Sequence, residues 1–131
     1  MNEDPWFSVV ALIARTLMAT VFLVSGIDKS IHFRRALEEF EKDNIPLRPA
    51  SLTLTIVLHW VAPICLIAGW LVTEMALSLA VFTLAATILV HHFWTMEGQQ
   101  RLARSRIALA NLGLIGGLLL LAAAGPGKWV L

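Results

Sequence analysis

Apolar residues in this chain do not alternate with polar ones. They gather in four long runs, at roughly residues 7–27, 52–72, 75–94 and 107–124, separated by short charged stretches. Each run approaches the ~20 residues that carry a helix across a hydrocarbon core about 30 Å thick. Lipid offers the backbone no hydrogen-bond partners, so spans of this length are helical. The pattern predicts an all-α integral membrane four-helix bundle, a single transmembrane domain over residues 1–131 with no room for a second.

The first polar stretch has a pattern of its own. In "SIHFRRALEEFEKDNIP", Phe33, Ala36, Leu37 and Phe40 fall on one helical face. Arg34 and Glu38, Arg35 and Glu39, and Glu38 and Lys42 are spaced to pair across one turn. Ser30 is a candidate N-cap, and Asn44 with Pro46 stops the run. A short amphipathic helix over roughly residues 30–43, lying at the membrane interface, is expected; the alternative is a solvated linker helix.

Composition agrees with a membrane setting. Of 131 residues, 58% are hydrophobic, against about 45–50% in soluble domains. The net charge of +1 gives no support for a nucleic-acid partner. The single cysteine, Cys65, sits in an apolar run, which excludes internal dithiol chemistry. The start, "MNEDPW", is acidic, whereas a secretory signal starts basic, so the first run is expected to stay as a membrane helix.

Basic residues set an expected orientation. Lys29, Arg34, Arg35, Lys42 and Arg48 follow the first run, and Arg101, Arg104 and Arg106 follow the third. The opposite side carries only Lys128, a ratio of eight to one. Positive-inside bias then places the first and third loops in the cytoplasm and both termini in the periplasm.

Small residues predict close helix approach: Gly113 and Gly117 in the fourth run, and Ala76, Ala80, Thr83 and Thr87 in the third. Pro63 cannot donate to the carbonyl of His59, which leaves an acceptor in mid-span. The "GPG" at 125–127 ends the fourth run, and Trp129 suits the outer interface.

Ionisable groups inside spans are the candidate chemistry. Arg15 lies about 12 Å into the first span at 1.5 Å per residue, close to the midplane. It shares a helix face with Ala19, Phe22, Gly26 and Lys29. His59 lies about as deep from the other side, and Asn111 about one turn into the fourth span. Thr83, Thr87, His91 and Trp94 share a face of the third span. His92 is turned about 100° from His91, so His91 is assigned inward and His92 toward headgroups or a neighbouring helix. No acidic residue lies near Arg15 at the midplane. Either helix carbonyls and Glu74 satisfy it, or it faces a bound polar group such as a quinone carbonyl or an anion. His59 is either a hydrogen-bonded core residue or a proton-transfer and ligand group.

Metal is not expected, because the four histidines lack ligand spacing. Haem between His59 and His91 is disfavoured, since their depths differ by about one and a half turns. No nucleophile elbow, phosphate loop or dinucleotide fingerprint is present.

With these residues in view, the chain resembles the DoxX family. "ARTLMATVFLVSGIDKSIHF" resembles its opening, "TILVHHFWTMEG" the end of its third helix, and "ANLGLIGGLLLLAAAGPGKWVL" its fourth helix and tail. By position the resemblance picks out Arg15, Gly26, Lys29, His91, Trp94, Asn111, Gly117 and the tail from Gly125 to Gly127. It implies a bacterial inner-membrane bundle. Some members are the small subunit of a thiosulfate:quinone oxidoreductase, others join redox-stress complexes, and many have no defined role. Two positions depart from the family pattern: His59 stands where relatives usually have a glutamate, and Ala110 where many have a lysine. The first departure removes the expected countercharge of Arg15.

Three functions follow as expectations. The first is a membrane subunit of a redox-linked complex, with a quinone-like ligand near Arg15, Lys29, His59, Thr87, His91, Trp94 and Asn111, and a protein partner that supplies the redox cofactor. The second is a non-enzymatic scaffold that docks a cytoplasmic protein. The third is a small-solute carrier, which would need a homo-oligomer for internal volume. Ligand binding requires a cavity reaching Arg15, whereas scaffolding requires Arg15 to be bonded internally.

Overall fold

The computed structural model describes residues 4–131; Met1 to Glu3, part of the acidic start, lie outside the described residues. All regular structure among these residues is helical: α1 (Pro5–Ile31), α2 (Phe33–Lys42), α3 (Arg48–Ala68), α4 (Val72–Leu89) and α5 (Gly98–Ala124), with a 3₁₀ turn at Phe93–Thr95. The four long helices have the length and apolarity to cross a membrane. Their outward faces carry bare Val, Ile and Leu, such as Leu17, Leu54, Val81 and Leu120. That surface suits lipid and would be costly in water.

The helix limits follow local chemistry. Pro5 opens α1, where its missing N–H costs nothing, and the Asp4 side chain accepts from the Trp6 N–H at 2.8 Å. The helix runs past the apolar stretch to Ile31, so Ser30 is not the cap of α2. Its hydroxyl instead donates to the Gly26 carbonyl, and His32 occupies the N-cap. α3 stops at Ala68 rather than near residue 72, because Gly69 takes a left-handed conformation (φ 84°) that ends the helix. α4 ends at Leu89, before the β-branched and aromatic run Val90–Trp94, which is poor in helix formers. α5 begins at Gly98, well before the apolar run, since "QQRLAR" sustains a helix in water.

α1 packs chiefly on α3 and α4 on α5, with α3 against α4 and a lighter α1–α5 contact closing the ring. Small residues set these approaches. A Cβ on Gly26 would meet the His59 Cβ at 2.9 Å and the His59 carbonyl oxygen at 3.0 Å. The carbonyl freed by Pro63 therefore lies against α1, where only glycine leaves room. Gly117 is crowded by Met18 of α1, whereas Gly113 faces open space, so the expected GxxxG is used at one of its two glycines. Ala76, Ala80 and Thr83 of α4 are buried as their spacing suggests. The core joins Ala19 and Phe22 of α1, Ala62 and Leu66 of α3, Leu79 of α4 and Leu118 of α5.

α2 turns its apolar side inward, with Ala36 buried and Leu37 and Phe40 half-buried against α1 and α3. Of the three expected ion pairs only Arg35–Glu39 forms, at 3.9 Å. Arg35 makes its closer contact, 2.9 Å, with Asp28 of α1. α2 is thereby tied to the bundle end.

Candidate functional site

The polar groups divide between the two ends of the bundle. At the end holding residues 125–131, the α3–α4 hairpin is short. Arg15 lies about 15 Å along α1 from Pro5, yet its guanidinium meets the last turn of α3. Residues 125–131 fold back over the hairpin and fill the space above it. The Lys128 N–H donates to Ser8 Oγ at 3.0 Å, the Leu131 N–H to the Ala68 carbonyl at 2.8 Å, and Trp70 Nε1 to the Leu131 carbonyl at 2.8 Å.

Arg15 holds this cap in place. It is fully buried. Nη1 donates to the carbonyls of Leu66 (3.1 Å) and Ile67 (3.3 Å), and Nη2 to the carbonyl of Trp129 (2.5 Å). The first two carbonyls lie in the last turn of α3, where the helix dipole favours a cation; that of Leu66 also accepts from the Gly69 N–H at 3.3 Å. Glu74 is exposed and forms no ion pair among the described residues. The expectation of help from Glu74 is therefore corrected: backbone carbonyls are the only partners of the guanidinium among the described residues, and Nε is left without one. Ser8 and the tail carbonyls gave no signal in the sequence, since main-chain acceptors have no residue signature.

The opposite end holds a cavity of about 850 Å³ beneath α2, reached by all five helices. Ser25 and Lys29 of α1, Thr55 and His59 of α3, Phe82 of α4, His91 and Arg104 contribute to its wall. Glu39, Lys42 and Asp43 line it from α2 and the turn that follows. His59 is buried. Its Nδ1 lies 2.6 Å from the Thr55 carbonyl, and its ring packs between Phe22 (5.5 Å between centroids) and Phe82 (4.6 Å, edge-on). Lys29 Nζ donates to Ser25 Oγ at 2.7 Å. Arg104 Nη1 reaches His91 Nδ1 at 3.2 Å. Neither Lys29 nor Arg104 forms an ion pair among the described residues.

The structure thus brings together Lys29, His59 and His91 and adds Arg104, which the sequence offered only as a topological charge. It does not bring Arg15 to them. Asn111 and Thr87 sit next to the cavity but bond to each other, Asn111 Nδ2 to Thr87 Oγ1 at 3.0 Å. Trp94 is exposed in the 3₁₀ turn, off the Thr83–Thr87 face, because α4 has already ended. His92 bonds locally to Thr95 Oγ1 at 2.6 Å. No cluster of three metal-ligating side chains occurs among the described residues.

The DoxX family model matches residues 10–92, from the second turn of α1 to just past α4. A protein of Escherichia coli strain K12, inner membrane protein YqjF, is 32% identical over 118 residues, which is 90% of this chain and 85% of YqjF. The chain belongs to the DoxX family. Inner membrane protein YphA of the same strain is 26% identical over 119 residues, covering 91% of this chain and 85% of YphA. No solved structure shows a significant match. With four apolar helices and inner-membrane relatives, this DoxX protein is a multi-pass inner-membrane protein. The match spans both Arg15 and the cavity wall from Ser25 to His91.

Proposed function

We propose that this DoxX protein is a membrane subunit that binds a small amphiphile of quinone type in the cavity beneath α2 and works beside a redox partner. One observation carries this reading: a cavity of about 850 Å³ with apolar walls from α4 and unpaired cations, Lys29 and Arg104, facing the two imidazoles His59 and His91. Pockets of several hundred Å³ with a few convergent polar groups suit ligands of this size. The ligand position moves from Arg15, where the sequence suggested it, to the other end of the bundle. The chain offers no redox cofactor of its own, so electrons would pass to a partner protein. By the basic-residue bias, the cavity end faces the cytoplasm.

A thermal-shift titration of detergent-purified protein with a short-chain benzoquinone tests this, wild type beside Lys29→Leu. At about 100 times its dissociation constant a ligand stabilises by about 2.7 kcal/mol. A shift in wild type that is lost in Lys29→Leu supports the cavity. Absence of a shift in wild type overturns it.

The scaffold reading keeps one observation in its favour. Arg15 is spent on internal carbonyls, as a structural arginine would be. Under that reading, charge reversal on α2 at Arg34 and Arg35 would release a co-purifying protein, and quinones would have no effect.

A further inference from the structure

The two imidazoles of the cavity wall are held by partners of opposite hydrogen-bonding character. His59 Nδ1 lies 2.6 Å from the carbonyl oxygen of Thr55. A carbonyl only accepts, so Nδ1 carries the hydrogen. In the neutral ring this leaves Nε2 with a lone pair. Among the described residues no group bonds to Nε2, no carboxylate pairs with the ring, and the sole sealed, unpartnered side-chain nitrogen or oxygen is Arg15 Nε. His59 Nε2 is therefore open to the cavity that His59 lines.

His91 is the reverse case. Its Nδ1 lies 3.2 Å from Arg104 Nη1. A guanidinium only donates, so Nδ1 must accept, and the ring hydrogen sits on Nε2. That N–H has no partner among the described residues. Arg104 is thus a positioning residue: it fixes which nitrogen of His91 can donate. Lys29 adds further donors, since Ser25 Oγ takes just one of its three.

We infer that the cavity presents a matched pair, a lone-pair acceptor on His59 and an N–H donor on His91, and takes an amphiphile whose head carries a hydroxyl that donates to the first and an oxygen that accepts from the second. This rests on the cavity being a ligand site, as proposed above, and names the ligand chemistry. A head with carbonyls alone satisfies His91 and Lys29 but leaves His59 Nε2 unpaired. A hydroxylated head satisfies all three.

Two measurements test it. The first is ¹⁵N NMR of histidine-labelled, ligand-free protein, which reads each ring's tautomer. Protonated Nδ1 on His59 with protonated Nε2 on His91 is expected, and the His91 preference should be lost in Arg104→Leu. Any other pair of tautomers in wild type overturns the inference. The second is anaerobic titration with a short-chain benzoquinol and its benzoquinone, which share a ring and differ in their hydroxyl hydrogens. The quinol should bind about tenfold more tightly, the effect of one extra buried hydrogen bond. His59→Phe, which keeps a flat ring between Phe22 and Phe82, should bring the two affinities together. Equal affinities in wild type overturn the inference. If the tautomers are as stated and neither probe binds, the ligand class falls together with the quinone-type reading. If the quinone alone binds, the ligand class falls while the cavity reading survives.

Discussion

Arg15 and Trp129 stand 114 residues apart in the chain, yet the guanidinium of one donates to the main-chain carbonyl of the other. Through the same side chain α1 is joined to the last turn of α3. Arg15→Leu removes these bonds and leaves three carbonyls in an apolar setting. Charge-assisted hydrogen bonds contribute about 1.5–3 kcal/mol each, with incomplete additivity, so a net loss of roughly 2–4 kcal/mol is expected. A lowered melting temperature in detergent would show it. The tail should also become open to chymotrypsin at Trp129 under conditions where the wild type resists.

Gly69 reports on the same junction. It takes φ 84°, and an added Cβ would press on Arg15 Nη1 and on Val130. Gly69→Ala is expected to cost about 1–3 kcal/mol from backbone strain and crowding. In an Arg15→Ala background the tightest of these contacts, on Nη1, disappears, so the double mutant should be less destabilised than the sum of the singles by at least about 0.5 kcal/mol. Strict additivity, measured by thermal or denaturant melts of all four proteins, would contradict the contact.

Much of this architecture was legible in the sequence because lipid imposes a long-range rule. Four apolar runs give four helices whatever the tertiary detail. The inward face of α1, from Arg15 through Gly26, was readable from spacing; His91 lines the cavity from beyond the end of α4, where helix spacing no longer sets direction. Depth was harder to read. Arg15 and His59 were set at similar levels by counting residues, which assumes helices of equal length. Gly69 ends α3 early, so Arg15 meets a helix terminus instead of a cavity. The partners of Arg15 are main-chain carbonyls, two of them in the last turn of α3, and no residue type announces them. Arg104 was missed for a related reason: counted as a loop charge, it lies within α5, which extends two turns beyond the apolar run.

Gly26 couples helix packing to the cavity. Its hydrogen leaves room for the Cβ and carbonyl of His59, so a methyl group must push α1 and α3 apart. Gly26→Ala should destabilise by about 1–3 kcal/mol, the usual cost of overpacking. The shift moves His59 relative to Lys29, so the benzoquinone response should weaken more than in Gly113→Ala, where an added methyl meets open space. Equal responses in the two variants would uncouple His59 from the site.

The Asn111–Thr87 bond joins α5 to α4 beside the cavity. Interhelical side-chain hydrogen bonds in membranes average about 0.6 kcal/mol and reach about 1.7. Asn111→Leu should therefore lower stability by no more than about 1.7 kcal/mol, less than Arg15→Leu. A larger loss, read from the same melts, would point to a ligand or helix contact at Asn111 beyond Thr87.

Orientation decides which compartment the cavity serves. Lys29, Arg34, Arg35, Lys42 and Arg48 flank one end of the bundle together with Arg101, Arg104 and Arg106, whereas Lys128 alone marks the other. Moving that many cations across the membrane during insertion is strongly disfavoured, so the α2 end should remain cytoplasmic. An alkaline phosphatase fused after Leu131 should then be active in cells, and a green fluorescent protein at the same point should be dark. The reverse pair of signals would put the imidazole pair and Arg104 in the periplasm, and any partner would have to be sought there. Replacing the three arginines of the α5 start by glutamine should leave the orientation unchanged, because five basic residues around α2 still outnumber Lys128.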